Sequence, residues 1–223
     1  MTPIEFETSP RPQFSVIWLH GLGADCTDFV PVAEALALPD MRFVFPDAPM
    51  QPVSLNGGYV MRAWYDIYAL DLSQGEDREG ILASSGRISG LIAREGERGI
   101  APDHVFLAGF SQGGAVALFS GLRHASMLAG IIALSAYLPL AESTALEAHP
   151  ANSQTPIFMG HGTQDEIIPV SAGIASRNRL VGLGHDVAWH AYDMNHSVCQ
   201  QEIGDISKWI SAIVAARHQT AAP

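Results

Sequence analysis

Cysteine is scarce: Cys26 and Cys199 are the only two in 223 residues, too few for a disulfide framework and too sparse for a structural zinc site. Basic charge is scarce as well. Twelve Lys+Arg stand against 23 Asp+Glu, a net charge of −11. A surface this acidic repels phosphate backbones and anionic headgroups, so nucleic acid is excluded as a partner. No apolar run reaches the roughly 20 residues of a spanning helix, so stable membrane insertion is not expected. The stretch MTPIEFETSP carries neither the basic nor the apolar segment of a secretory signal, and a cytoplasmic location is the expectation. Disorder is excluded from the opposite side. Its signature is low hydrophobicity with high charge, whereas here 48% of residues are hydrophobic and 16% charged.

What is present is an alternation of strand and helix signals over a length that suits one α/β domain, residues 1–223. Strands are predicted at 14–19, 42–45, 104–108, 131–135, 156–159 and 187–192, the last nearer an edge because its apolar residues alternate. Helices are predicted over 27–38, 75–99, 115–122 and 170–181, with a last one carrying Ile203, Ile206, Ile210 and Ile213 on one face. Residues 47–73 read as a long irregular excursion, and loops of that length are usually functional. The tail 219–223 is expected to fray. The short continuous apolar runs predict a mostly parallel central sheet with helices on both faces.

Chemistry concentrates at Gly109-Phe110-Ser111-Gln112-Gly113. The motif follows a predicted strand and opens a predicted helix, the context of a nucleophile elbow. A serine on so sharp a turn needs small neighbours, which Gly109 and Gly113 supply. The Ser111 hydroxyl then stands at a helix N-terminus, where backbone N–H groups favour developing negative charge. A hydroxyl is a poor nucleophile until a base takes its proton, and in this arrangement the chain order is Ser, acid, His. Asp165 follows the strand at 156–159 and is the leading acid, with Glu166 the runner-up. Of the histidines beyond it, His185 precedes the last strand, His190 lies within it and His218 is in the tail. That leaves His196, in the loop after the strand, as the base.

An acyl-transfer site also needs donors for the tetrahedral oxyanion. The backbone N–H of Gln112 is one. The second is expected from His20-Gly21-Leu22-Gly23 after the first strand, with Leu22 N–H the donor and His20 bonding the loop. A dinucleotide fingerprint in the same segment fails, because Cys26 stands where its third glycine belongs. The acceptor sequence for glycosylation at Asn195-His196-Ser197 is read as chance, since a glycan beside the base obstructs the site.

Taken together, Leu19-His20-Gly21-Leu22-Gly23, Phe45-Pro46-Asp47-Ala48-Pro49, Trp64-Tyr65-Asp66, Gly109 to Gly114, Leu134-Ser135 and His161-Gly162 with Asp165 resemble the carboxylesterase / acyl-protein thioesterase family over nearly the whole chain. The resemblance implies an α/β-hydrolase fold without a large cap domain, and hydrolysis of carboxylic esters and thioesters through an acyl-enzyme with no cofactor and no metal. Ser111, Asp165 and His196 match its triad, and Leu22 and Gln112 its oxyanion donors. Trp64, Leu70, Tyr137 and Ile167 match its acyl-binding groove. Relatives often pair, which implies a homodimer. Two departures stand out: most relatives have glycine where Asn195 precedes the histidine, and Ala24-Asp25-Cys26-Thr27 tilts the likeness toward the bacterial carboxylesterase branch. A carboxylesterase for short to medium acyl chains is therefore the first expectation. A thioesterase or lysophospholipase for long chains is the second, and a hydrolase-fold protein that only binds a ligand the third.

Overall fold

Phe14, Val16 and Trp18 point to one side of strand β2 (Phe14–Leu19), Ile17 and Leu19 to the other, and all five are buried. That two-residue period divides the apolar side chains between the two faces of a seven-stranded sheet. In the computed structural model, which describes residues 3–69 and 75–220, the strands are β1 (Ile4–Glu7), β2, β3 (Met41–Phe45), β6 (Val105–Phe110), β7 (Gly130–Leu134), β8 (Ile157–Gly162) and β9 (Val187–Tyr192), in the spatial order β1-β3-β2-β6-β7-β8-β9. Every pairing is parallel except that of β1 with β3.

Helices α1 (Val30–Leu36) and α6 (Gln200–Thr220) close one face through Ala33, Leu36, Ile206 and Ile210. Helices α2 (Arg78–Glu97), α3 (Gln112–Arg123) and α5 (Val170–Gly182) close the other through Ile81, Ile88, Ile92, Val116, Phe119 and Leu180. Each such buried Leu, Ile, Val or Phe side chain contributes about 1.5–3 kcal/mol, so the sheet is held from both sides. The expected architecture is the observed one. No helix among the described residues is long and apolar enough to cross a membrane.

Sequence and structure differ at several boundaries, each for a local reason. Strand β1 was not anticipated, although Ile4-Glu5-Phe6-Glu7 alternates as an edge strand should. Phe6 stacks on Phe43 at 4.8 Å, while Glu5 and Glu7 reach Arg94, Arg98 and Arg42. Helix α1 starts at Val30 rather than 27, because Asp25 takes the Thr27 N–H and hydroxyl into a tight turn of its own. The 47–73 excursion is partly ordered as a hairpin of β4 (Met50–Val53) and β5 (Tyr59–Arg62), turned by Gly57 and Gly58 at φ 66° and 82°. Helix α6 runs to Thr220, into the tail 219–223 expected to fray, and residues 221–223 lie outside the described residues.

The sheet order reverses between β2 and β6: the chain goes from β2 to β3 on one side, and β6 lies on the other. Loops leaving the carboxyl ends of two such strands part from each other and open a crevice. The segments that leave there begin with His20 and Ser111.

Candidate active site

Ser111 sits between β6 and α3 with φ 54° and ψ −122°, a conformation that costs a non-glycine residue of order 1–3 kcal/mol. Close packing enforces it. A Cβ on Gly109 overlaps the Gly113 carbonyl, and one on Gly113 overlaps the Leu19 and His20 carbonyls. The Ser111 N–H donates to Leu134 O at 2.8 Å, which ties the turn to β7. The side chain is 9% exposed, at the start of α3.

Asp165 and His196 meet beside it. The carboxylate accepts His196 Nδ1–H on Oδ2 at 2.7 Å and the N–H groups of Ile167 and Ile168 on Oδ1 at 2.9 and 2.8 Å. This fixes the imidazole tautomer and leaves Nε2 as its free, basic nitrogen. The His196 ring lies 4.7 Å from that of Phe110, the residue before Ser111. Glu166, the runner-up acid, is exposed. Two loops must touch for this pairing to form, and Gly162 lets them: a Cβ there overlaps the Met194 and Asn195 carbonyls. Thr163 N–H and Gln164 N–H donate across the seam to Tyr192 O and Met194 O. Asn195 is exposed and does not take a positive φ, so this turn does not require glycine at that position.

His161, now seen as part of β8 rather than of the loop after it, supports the acid. Burial lowers its pKa, so the neutral ring carries one proton, which Nε2 donates to Ile168 O at 2.8 Å. It stands 3.5 Å from Asp165 Oδ2 and stiffens the carboxylate's loop without displacing His196.

The loop after β2 is held by His20. Its Nδ1–H donates to Gly21 O at 2.7 Å and its Nε2 accepts Ala48 N–H at 3.0 Å. Both bonds require a neutral ring, and burial lowers the His20 pKa accordingly. Because a trans peptide points its C=O and N–H in opposite directions, gripping the Gly21 carbonyl aims the Leu22 N–H the other way. Gly21 lies beside the Ser111 turn: a Cβ placed on it would stand 3.4 Å from Phe110 Cδ1 and 3.5 Å from Ser111 Cβ. Leu22 and Gln112, with Ser111 and His196, line one cavity of about 660 Å³.

That cavity is walled mainly by apolar groups, among them Tyr65, Ile67, Tyr137, Leu138, Ile167 and Ala172. Of the groove residues expected from the sequence, Tyr137 and Ile167 are on the wall. Leu70 lies outside the described residues. Trp64 is corrected: it is 2% exposed beneath the wall, its indole N–H bonded to His20 O at 2.8 Å, and Tyr65 takes the lining position. A buried indole needs an acceptor, and the loop after β2 supplies one. The Tyr65 and Tyr137 hydroxyls bond each other at 2.9 Å, and burial pushes the Tyr137 pKa up to about 12, so the pair faces the cavity uncharged.

Residues 5–214 match the family model described as Phospholipase/Carboxylesterase. The chain belongs to that family. It is 39% identical to acyl-protein thioesterase 1 of Yarrowia lipolytica, over 88% of this chain and 90% of that one. It is 35% identical to a probable carboxylesterase of Oryza sativa subsp. japonica, over 90% and 77%. The crystal structure of Arabidopsis thaliana SOBER1 superposes with a TM-score of 0.85 at 31% identity, covering 90% of this chain and 99% of that one. The phospholipase/carboxylesterase member described here is thus an α/β-hydrolase and an ester or thioester hydrolase.

Within this family member, sequence reasoning passed over the side chain of Gln112. Its Oε1 accepts Trp64 N–H at 2.8 Å and its Nε2 donates to Tyr65 O at 2.7 Å. Ser84 Oγ donates to Trp64 O. No local pattern links residue 112 to residues 64 and 65, so only the fold could reveal it.

Proposed function

We propose that the protein is a serine hydrolase acting on acyl thioesters and esters, of the acyl-protein thioesterase kind. The expectation of a carboxylesterase for short to medium acyl chains gives way to this second one, because the relatives reported above carry the thioesterase name at the higher identity. The observation that carries the chemistry is the 2.7 Å bond from His196 to buried Asp165 in a cavity shared with strained Ser111.

Ser111 Oγ attacks the acyl carbonyl while His196 Nε2 takes its proton. Asp165 holds the imidazole in the required tautomer and stabilises the imidazolium. The oxyanion rests on the N–H groups of Leu22 and Gln112, each such donor contributing about 3–4 kcal/mol. His196 then protonates the leaving thiol or alcohol. Water, deprotonated by the same histidine, attacks the acyl-enzyme and releases the acid. The acyl chain lies in the apolar cavity, whose size suits a lipid-like ligand.

Steady-state turnover of an S-acylated peptide and of p-nitrophenyl esters, in wild type and Ser111→Ala, tests the proposal. Loss of all turnover in Ser111→Ala, with thioester favoured over ester in the wild type, supports it. Retained turnover overturns the nucleophile. Turnover of short esters alone returns the carboxylesterase reading. A cytoplasmic location and a homodimer travel with this proposal, and cell fractionation and light scattering test them.

A further inference from the structure

One stripe of α5 runs along the acyl cavity, and its far end differs from the rest. Ala172, Ala175, Ser176 and Arg179 line the cavity, at the spacing that places residues on one helix face. Pro169, just before the helix, lines it next to Ile168, whose N–H is bonded to Asp165. At about 1.5 Å per residue, Arg179 lies about 15 Å along the axis from Pro169. The triad is therefore at one end of the stripe and Arg179 at the other.

The polar groups along the stripe are engaged, except at that end. Ser176 Oγ donates to Ala172 O and accepts Leu138 N–H. Among the described residues, Arg179 alone brings a Lys or Arg side chain to the wall, and its buried Nε has no hydrogen-bond acceptor. Its ion pair with Glu142 is long, 3.5 Å, and the Glu142 side chain is 96% exposed. Arg42, by comparison, holds Glu7 and Glu95 at 2.8 and 3.0 Å. A buried N–H without an acceptor is a standing cost that a ligand acceptor removes. A guanidinium is shaped to receive a carboxylate through two parallel bonds. Asp28, near the oxyanion loop, also lines the cavity and disfavours an anion at that end.

We propose that Arg179 is a specificity-determining residue that receives a carboxylate at the far end of the acyl chain. The preferred acyl groups are then those of dicarboxylic acids, presented as half-esters or half-thioesters. Glu142 occupies the guanidinium when the cavity is empty and yields its place to the substrate. The inference rests on the acyl-hydrolase reading of the site. The reaction is unchanged: water adds across the acyl bond, and the diacid and the alcohol or thiol are released.

The test compares kcat/KM for mono-p-nitrophenyl adipate, suberate and sebacate with the methyl-terminated esters of equal length. In the wild type the ratio favours the half-ester and peaks at one length. In Arg179→Met that ratio falls by about tenfold or more, and in Glu142→Gln it rises. An equal change for both substrate types in Arg179→Met, or a ratio without a peak, overturns the proposal. Calorimetric titration of Ser111→Ala with monomethyl suberate and with methyl octanoate reads the same contact without turnover. Tighter binding of the half-ester that depends on Arg179 supports the inference even where hydrolysis fails. Normal hydrolysis with no such dependence overturns the inference and leaves the acyl-hydrolase reading standing.

Discussion

The side-chain oxygen of Gln112 accepts the backbone N–H of Trp64 at 2.8 Å, joining residues 48 positions apart. Its amide nitrogen completes the clamp on Tyr65 O. One side chain thereby ties the first turn of α3 to the cavity wall. Gln112→Ala is expected to lose about 1–3 kcal/mol of stability, since two buried backbone groups lose their partners. Gln112→Glu is expected to lose more, because it sets a carboxylate oxygen against the Tyr65 carbonyl. Denaturant midpoints of the three proteins check the order.

His20 is expected to act on rate rather than on binding. His20→Phe frees the Gly21 carbonyl and the Ala48 N–H, so the Leu22 N–H loses its aim. For an oxyanion donor, the role proposed for Leu22 N–H, misplacement costs about a hundredfold in kcat. Steady-state kinetics should show that loss with KM changed far less.

Gly113→Ala tests the strand–helix contact beneath Ser111. The added Cβ meets the Leu19 and His20 carbonyls, which belong to backbone and cannot swing aside. Overpacking of this kind costs about 1–3 kcal/mol or more. Circular dichroism melts should show a large drop in Tm, whereas Gly86→Ala, where an added Cβ meets nothing within 4 Å, should leave Tm unchanged or raised.

Chain length should follow the alanines. Ala172 lines the cavity about a third of the way along the α5 stripe from Pro169 toward Arg179, and Ala172→Phe fills that space. Hydrolysis of long acyl esters is expected to fall about tenfold relative to butyrate. A kcat/KM series over acyl length reads the shift.

Glu202 predicts an alkaline weakness. Its carboxyl is fully buried, with neither oxygen hydrogen-bonded. Burial first, and nearby Asp205 second, push its pKa up to about 8. The folded protein thus holds a proton that the unfolded chain has already lost above the usual carboxylate range. The stability linked to that proton is complete below that range and is lost as pH rises through about 8. A shift of this size is worth a few kcal/mol. Glu202→Gln should flatten the fall in Tm between about pH 5 and about pH 9; an equally steep fall in that variant contradicts the assignment.

Much of this was legible in the sequence because it is local. The apolar runs of β2, β6, β7 and β8 announce themselves within six residues each. The Ser111 turn is written in Gly109 and Gly113, where backbone approaches too closely for a Cβ. Errors fell where a partner far along the chain decides. Strand β1 is stable because Met41–Phe45 pairs with it, and the indole of Trp64 is drawn beneath the wall by the His20 carbonyl.

The scarcity of cysteine and of positive charge argues against a disulfide framework and a nucleic-acid partner, and local pattern fixed the order of elements and the turn that carries Ser111. Those follow from propensity, steric size and charge, which act between neighbours in the chain. The contact of Asp165 with His196, the aim of the Leu22 N–H and the lone arginine at the end of an apolar cavity were decided by tertiary structure. Each depends on where a sheet edge gathers loops from distant parts of the chain, and no short-range rule encodes that meeting.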